Sequence, residues 1–121
     1  MSPVVATAKP HILVVEDQAQ ILDVLREVLE EEHTVTTATT AQAGSRALAA
    51  SPADLVLLDL MLPGGGAQDV LAQADAKGVP VILMSGNPSE MARASAGERP
   101  LLMKPFSLEA LSQAVRAALR S

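Results

Sequence analysis

Glu16, Asp17, Asp59, Ser85 and Lys104 each follow a short apolar run, and as a set they have the chemistry to handle a phosphoryl group. His11-Ile12-Leu13-Val14-Val15 leads into Glu16-Asp17, and Leu55-Val56-Leu57-Leu58 into Asp59. Val81-Ile82-Leu83-Met84 leads into Ser85, and Leu101-Leu102-Met103 into Lys104-Pro105-Phe106. If these runs are neighbouring parallel strands, three carboxylates, a hydroxyl and an ammonium meet at one end of one sheet. The Asp59 carboxylate could attack phosphorus and form an acyl phosphate. Glu16 and Asp17 are hard oxygen ligands of the kind Mg2+ takes beside waters and phosphate oxygens. Three converging acids repel one another, which raises the pKa of at least one, and a cation relieves this. Lys104 can pair with Asp59 at rest and with a phosphoryl oxygen afterwards. Ser85 has a hydroxyl to donate, and Gly86 leaves room beside it.

Each residue also has a plainer reading. Asp59 and Ser85 alone would be turn residues. Asp17 with Gln20 could cap the first helix, a role compatible with offering its second oxygen to a metal. Lys104 alone would be a snorkelling surface lysine. The coincidence of all these positions at strand ends favours the chemical reading. Gly64-Gly65-Gly66 lacks the following Lys-Ser or Lys-Thr of a phosphate-binding P-loop and reads as a flexible turn. His11 and His33 have no partner ligands in sequence and read as structural or solvent-exposed.

The elements that must position this chemistry alternate. A strand at His11–Val15 precedes a helix from Gln18 to about Glu31, whose Ile21, Leu22, Leu25, Val28 and Leu29 recur at helical spacing. A β-branched strand at His33–Thr37 precedes an alanine-rich helix to about Ala50, with Thr39 and Gln42 as its capping box. The continuous apolar run Leu55–Leu58 reads as a strand buried on both faces. A helix at about Ala67–Lys77, ended by Gly78, leads to a strand at Pro80–Met84. Gly86 to Arg99 is weakly patterned and predicts a short or irregular fourth helix. A strand at Pro100–Met103 and a final helix capped by Ser107 complete the order. Strict strand–helix alternation predicts an α/β fold with a doubly wound parallel sheet and helices on both faces. Residues 1–9 read as a disordered lead-in and residues 10–121 as one domain.

Composition narrows the function. The chain has 121 residues, a formal charge of −5 and no cysteine. The charge and the scattered basic residues argue against nucleic-acid binding. Phe106 is the sole aromatic residue, which disfavours base stacking and flavin sandwiching. No apolar stretch approaches the ~20 residues of a membrane span, and the start lacks a signal-peptide layout. A cytoplasmic protein without membrane association is expected.

Val14-Val15-Glu16-Asp17, Leu57-Leu58-Asp59-Leu60-Met61-Leu62-Pro63-Gly64, Ser85-Gly86 and Lys104-Pro105-Phe106 resemble the receiver domain of bacterial two-component response regulators, in the right order from about residue 10 to the end. The resemblance implies a flavodoxin-like sheet of five strands in the order 2-1-3-4-5. It implies that Asp59 accepts a phosphoryl group from a histidine kinase or histidine phosphotransfer protein. It implies Mg2+, or Mn2+ in its place, held by Asp17, Asp59 and the backbone carbonyl of Met61, with Glu16 assisting. Ser85 and Lys104 would contact the phosphoryl group. No turnover of a separate substrate is expected, beyond the domain's own phosphorylation and dephosphorylation. Leu101 stands where receivers usually carry Tyr or Phe, and the stretch between Ser85 and Lys104 is short. These departures point away from the usual aromatic switch and the usual dimer through the fourth helix, towards a monomer or weak dimer. A single-domain regulator or a receiver of the hybrid histidine kinase type is expected.

Two other readings compete. A Mg2+-dependent phosphohydrolase with an Asp nucleophile typically has a second acid two residues later, and Met61 there cannot move a proton. A pseudo-receiver would bind partners independently of phosphorylation, a reading motivated by Leu101 and the weak segment after Ser85.

Overall fold

Continuous apolar runs become strands that are covered on both sides. In the computed structural model, which describes residues 9–89 and 99–120, every residue of Leu55–Asp59 and of Val81–Ser85 is buried. The elements in chain order are β1 (His11–Val15), α1 (Ala19–Leu29), β2 (Thr34–Ala38), α2 (Ala41–Ala50), β3 (Leu55–Asp59), α3 (Ala67–Ala76), β4 (Val81–Ser85), β5 (Leu101–Met103) and α4 (Leu108–Arg120). The strands form one parallel sheet in the order β2-β1-β3-β4-β5. The flavodoxin-like α/β architecture expected from the sequence is therefore present. The disordered lead-in and the fourth-helix expectation fall mainly on residues 1–8 and 90–98, outside the described residues.

The period-2 geometry of strands sorts the apolar side chains into two cores. Ile12, Val14, Leu55, Leu57, Ile82, Met84 and Leu102 point to α1 and α4. Leu13, Val15, Val56, Leu58, Val81 and Leu83 point to α2 and α3. Gly44 lets α2 lie close on β1, since a Cβ there would sit 3.0 Å from the Val15 side chain.

Several boundaries shift for identifiable reasons. The second strand is Thr34–Ala38 and not His33–Thr37, because His33 closes α1: its backbone N–H and its Nδ1 both donate to the Leu29 carbonyl, each at 2.9 Å. Helix α2 is capped by Thr40, whose Oγ1 accepts from the Ala43 N–H at 3.0 Å, and not by Thr39. The Asp17–Gln20 capping box is also absent. Gln18 occupies the α1 N-cap position without a side-chain cap. At α4, Ser107 Oγ accepts from the Ala110 N–H at 3.0 Å, as expected.

His11 is structural. Its Nδ1 donates to the Pro52 carbonyl at 2.7 Å and its Nε2 meets Thr36 Oγ1 at 2.7 Å. Its backbone N–H donates to Asp54 Oδ2 at 2.7 Å, so one residue ties β1 to β2 and to the turn before β3.

Candidate functional site

The topology dictates where the polar strand ends meet. From β1 the chain winds outward to β2, then returns to place β3 on the other side of β1. The crevice at such a reversal, at the carboxyl ends of the strands, is where open α/β sheets bind ligands. Glu16 and Asp17 follow β1, Asp59 ends β3, Ser85 ends β4, and Lys104 follows β5.

Lys104 sits between two of the acids. Its Nζ is 2.6 Å from Glu16 Oε1 and 3.0 Å from Asp59 Oδ2. Asp59 Oδ1 accepts from the Met61 N–H at 2.8 Å, so each Asp59 oxygen faces one donor. Asp59 is buried, 2% exposed, which holds the carboxylate in one orientation at the end of the central strand. The Lys104–Pro105 bond is cis.

Glu16 is fully buried. Its Oε2 accepts from the Gln18 N–H at 3.0 Å. Its Oε1 is held by the Lys104 ammonium at 2.6 Å. Burial pushes the Glu16 carboxyl above the ordinary range, against the pull of the Lys104 ammonium and the Gln18 N–H, and the Asp59 charge adds to the rise. For Lys104, burial works against the charge. The hydrogen bonds and charges of Glu16 and Asp59 outweigh it, and the ammonium is held above its ordinary value.

Glu16, Asp17 and Asp59 each place one carboxylate oxygen within 4.8 Å of the others. This set fits a divalent cation on two grounds. The donors are all oxygens, as Mg2+ prefers, and two of the three carboxylates, Glu16 and Asp59, are buried, so water screens their mutual repulsion poorly. Asp17 is only partly exposed and, being free of a capping role, has its carboxylate to offer.

Ser85 is buried, and its Oγ accepts from the Asn87 N–H at 3.0 Å, leaving its own hydroxyl hydrogen to donate. Two contributors went unread in the sequence. Gln18 and Asn87 act through backbone N–H groups, on Glu16 and on Ser85, and backbone donors carry no side-chain signature. The dipeptide Asn87-Pro88, a turn signature, is the hint of the second that the sequence carries. A cavity of about 320 Å³ opens over the cluster, bounded by Asp17, Gln18, Asp59, Met61, Gly86, Asn87 and Lys104. An apolar cavity of about 600 Å³ adjoins it, walled by Ile21, Val24, Leu25, Pro105, Phe106 and Leu108, with Gln18, Gly86 and Lys104 common to both. The triple-glycine stretch is not simply a flexible turn. All three glycines have positive φ, and a Cβ on Gly66 would sit 2.7 Å from the Ala41 Cβ.

Residues 12–116 match the family model described as the response regulator receiver domain. The chain is 39% identical over 119 residues to the uncharacterized transcriptional regulatory protein YkoG of Bacillus subtilis, spanning 93% of this chain and 52% of that protein. It is 39% identical over 116 residues to the sensory transduction protein RegX3 of Mycolicibacterium smegmatis, spanning 90% and 50%. The chain thus spans about half the length of these curated relatives. Among solved structures, it resembles the signal receiver domain of an HD domain-containing protein from Pseudomonas fluorescens, with TM-score 0.85 and 30% identity, covering 99% of this chain and 93% of that one. It also resembles the response regulator TrrA of Thermotoga maritima in complex with Mg2+-BeF, with TM-score 0.80 and 26% identity, covering 91% and 99%.

Proposed function

The chain belongs to the response regulator receiver domain family, and on that premise we propose that it is the phosphoacceptor of a two-component relay, with Asp59 as the acceptor. The observation that carries this reading is the Asp59 carboxylate, buried at the end of the central strand with Lys104 Nζ 3.0 Å from one oxygen.

In the proposed transfer, an Asp59 oxygen attacks the phosphorus of a phosphohistidine on a histidine kinase or phosphotransfer protein. An O–P bond forms and the N–P bond breaks. The electron pair stays on the imidazole nitrogen, and the ring, already protonated on its other nitrogen, leaves as neutral imidazole. Lys104 then turns from the carboxylate pair to the phosphoryl oxygens, and Ser85 donates its hydroxyl hydrogen to one of them. A divalent cation, Mg2+ or Mn2+, on Glu16, Asp17, Asp59 and the Met61 carbonyl would offset the negative charge gathered there. The TrrA structure with Mg2+-BeF supports this by analogy, as does the acidic triad.

The decisive experiment incubates the protein with Mg2+ and a small acyl-phosphate donor and reads the intact mass. One added phosphoryl group is expected on the wild type and none on Asp59→Asn. No adduct on the wild type, or an unchanged adduct on Asp59→Asn, overturns the reading. Partner binding that ignores both phosphorylation and Asp59→Asn would favour the interaction-module reading.

A further inference from the structure

We propose that the ion pair between Arg99 and Asp75 is the register pin of β5, and that through β5 it positions Lys104. The proposal rests on the reading of Lys104 as a phosphoryl contact, but its first measurement does not.

The strand that carries Lys104 is the weakest in the sheet. β5 has three residues where the other strands have five, and it lies at an edge with β4 as its one neighbour. Leu83, Met84 and Ser85 pair with Leu101, Leu102 and Met103. Burial holds it poorly: Leu102 is buried, Leu101 is partly covered, and Met103 is 43% exposed. In a strand, a slip of one residue sends every side chain to the opposite face. Such a slip would carry Lys104 away from Glu16 and Asp59.

Arg99 opposes that slip. Its Nη2 lies 2.5 Å from Asp75 Oδ2 on α3. Leu101 packs on the α2–α3 side of the sheet and Leu102 on the α1–α4 side. Two residues before Leu101, Arg99 shares its face and reaches α3. Two residues after Leu102, Lys104 shares the other and reaches Glu16 and Asp59. One ion pair at the entrance of β5 therefore fixes the parity that the lysine at its exit requires. The pair is also suited to its place on α3. A carboxylate near a helix C-terminus is unfavourable against the macrodipole, and the guanidinium offsets it.

The chain has three lysines, so selective labelling of lysine side chains gives three signals, and Lys104→Arg identifies one of them. In the unphosphorylated protein, Arg99→Gln and Asp75→Asn are expected to shift the Lys104 signal. The exchange Asp75→Arg with Arg99→Asp is expected to restore it. Arg26→Gln, which breaks the exposed Arg26–Glu30 pair on α1, serves as control and is expected to leave it in place. With an acyl-phosphate donor and Mg2+, the two single variants are expected to gain the Asp59 adduct about twofold to fivefold more slowly, the span of a part-exposed ion pair. A Lys104 signal unmoved in both single variants, or moved equally by Arg26→Gln, or not restored by the exchange, overturns the proposal. A signal that moves and recovers as stated, in a protein that never acquires a phosphoryl group, upholds the pin and defeats only the reading of Lys104 as a phosphoryl contact.

Discussion

The Lys104 ammonium bridges Glu16 and Asp59, at 2.6 and 3.0 Å, two acids that come from different strands and would otherwise repel each other. Removing one partner from a buried ionic group leaves an uncompensated charge, at a cost of roughly 3–5 kcal/mol. Lys104→Ala is therefore expected to lower the urea midpoint sharply in metal-free buffer. Added Mg2+ is expected to recover part of the loss, by supplying the positive charge that the lysine no longer does. Denaturation curves with EDTA and with Mg2+ check this. Equal losses in both would speak against a shared role.

The pH dependence follows from Glu16 and Lys104. The Glu16 carboxyl is held above its ordinary value of 4.5. Its contribution to stability is full below that value and is lost as pH rises through the higher folded value. Glu16→Gln removes this group, so in metal-free buffer the variant is expected to gain stability relative to wild type as the pH is raised from about 4 to 8. Lys104, held above 10.5, contributes fully below that value, and this is lost only at more alkaline pH. Urea midpoints of wild type and variant across that range test the sign. A constant difference would show that folding does not hold the Glu16 carboxyl above its ordinary value.

Met61 is half exposed and borders the cavity over Asp59. Its side chain cannot accept or deliver a proton to an attacking water. Met61→Glu places a carboxylate there. The acyl phosphate is expected to hydrolyse faster, by about tenfold, short of the ~10²–10⁴ of a well-positioned general base. Loss of the adduct mass with time measures it. An unchanged lifetime would mean that water reaches phosphorus by another side.

Gly66 has φ +91° and its missing Cβ would lie 2.7 Å from Ala41, whereas Gly64 and Gly65 face open space. Gly66→Ala is expected to cost about 1–3 kcal/mol from backbone strain, with the collision added. Gly64→Ala carries only the strain and is expected to cost less. Thermal unfolding of both variants distinguishes them.

The sheet was legible because buried parallel strands read as unbroken apolar runs, and β3 and β4 are covered end to end. The site was legible because its side chains follow those runs directly. The caps were less so. Thr39 and Thr40 are chemically equivalent one position apart, and the structure places Thr40 at the cap, with extended backbone and its side chain on the Ala43 N–H. Asp17 next to Glu16 offered a capping pattern, yet the carboxylate that takes the nearby N–H, that of Gln18, belongs to Glu16. The Gly66 constraint was invisible because Ala41 is remote in sequence. The same holds for the Arg99–Asp75 pair, whose members are 24 residues apart.

The apolar cavity beside Phe106 and the polar one above Asp59 share the walls formed by Gln18, Gly86 and Lys104. A guest in one that displaces the Lys104 ammonium would therefore act on the other, because that ammonium borders both. Thermodynamic reciprocity then sets a constraint: whatever factor a modification at Asp59 imposes on the affinity of a guest in the apolar chamber, that guest imposes on the equilibrium of the modification. With Asp59 as the phosphoacceptor proposed above, an apolar molecule beside Phe106 that moves Lys104 would shift the phosphorylation equilibrium without touching the carboxylate itself.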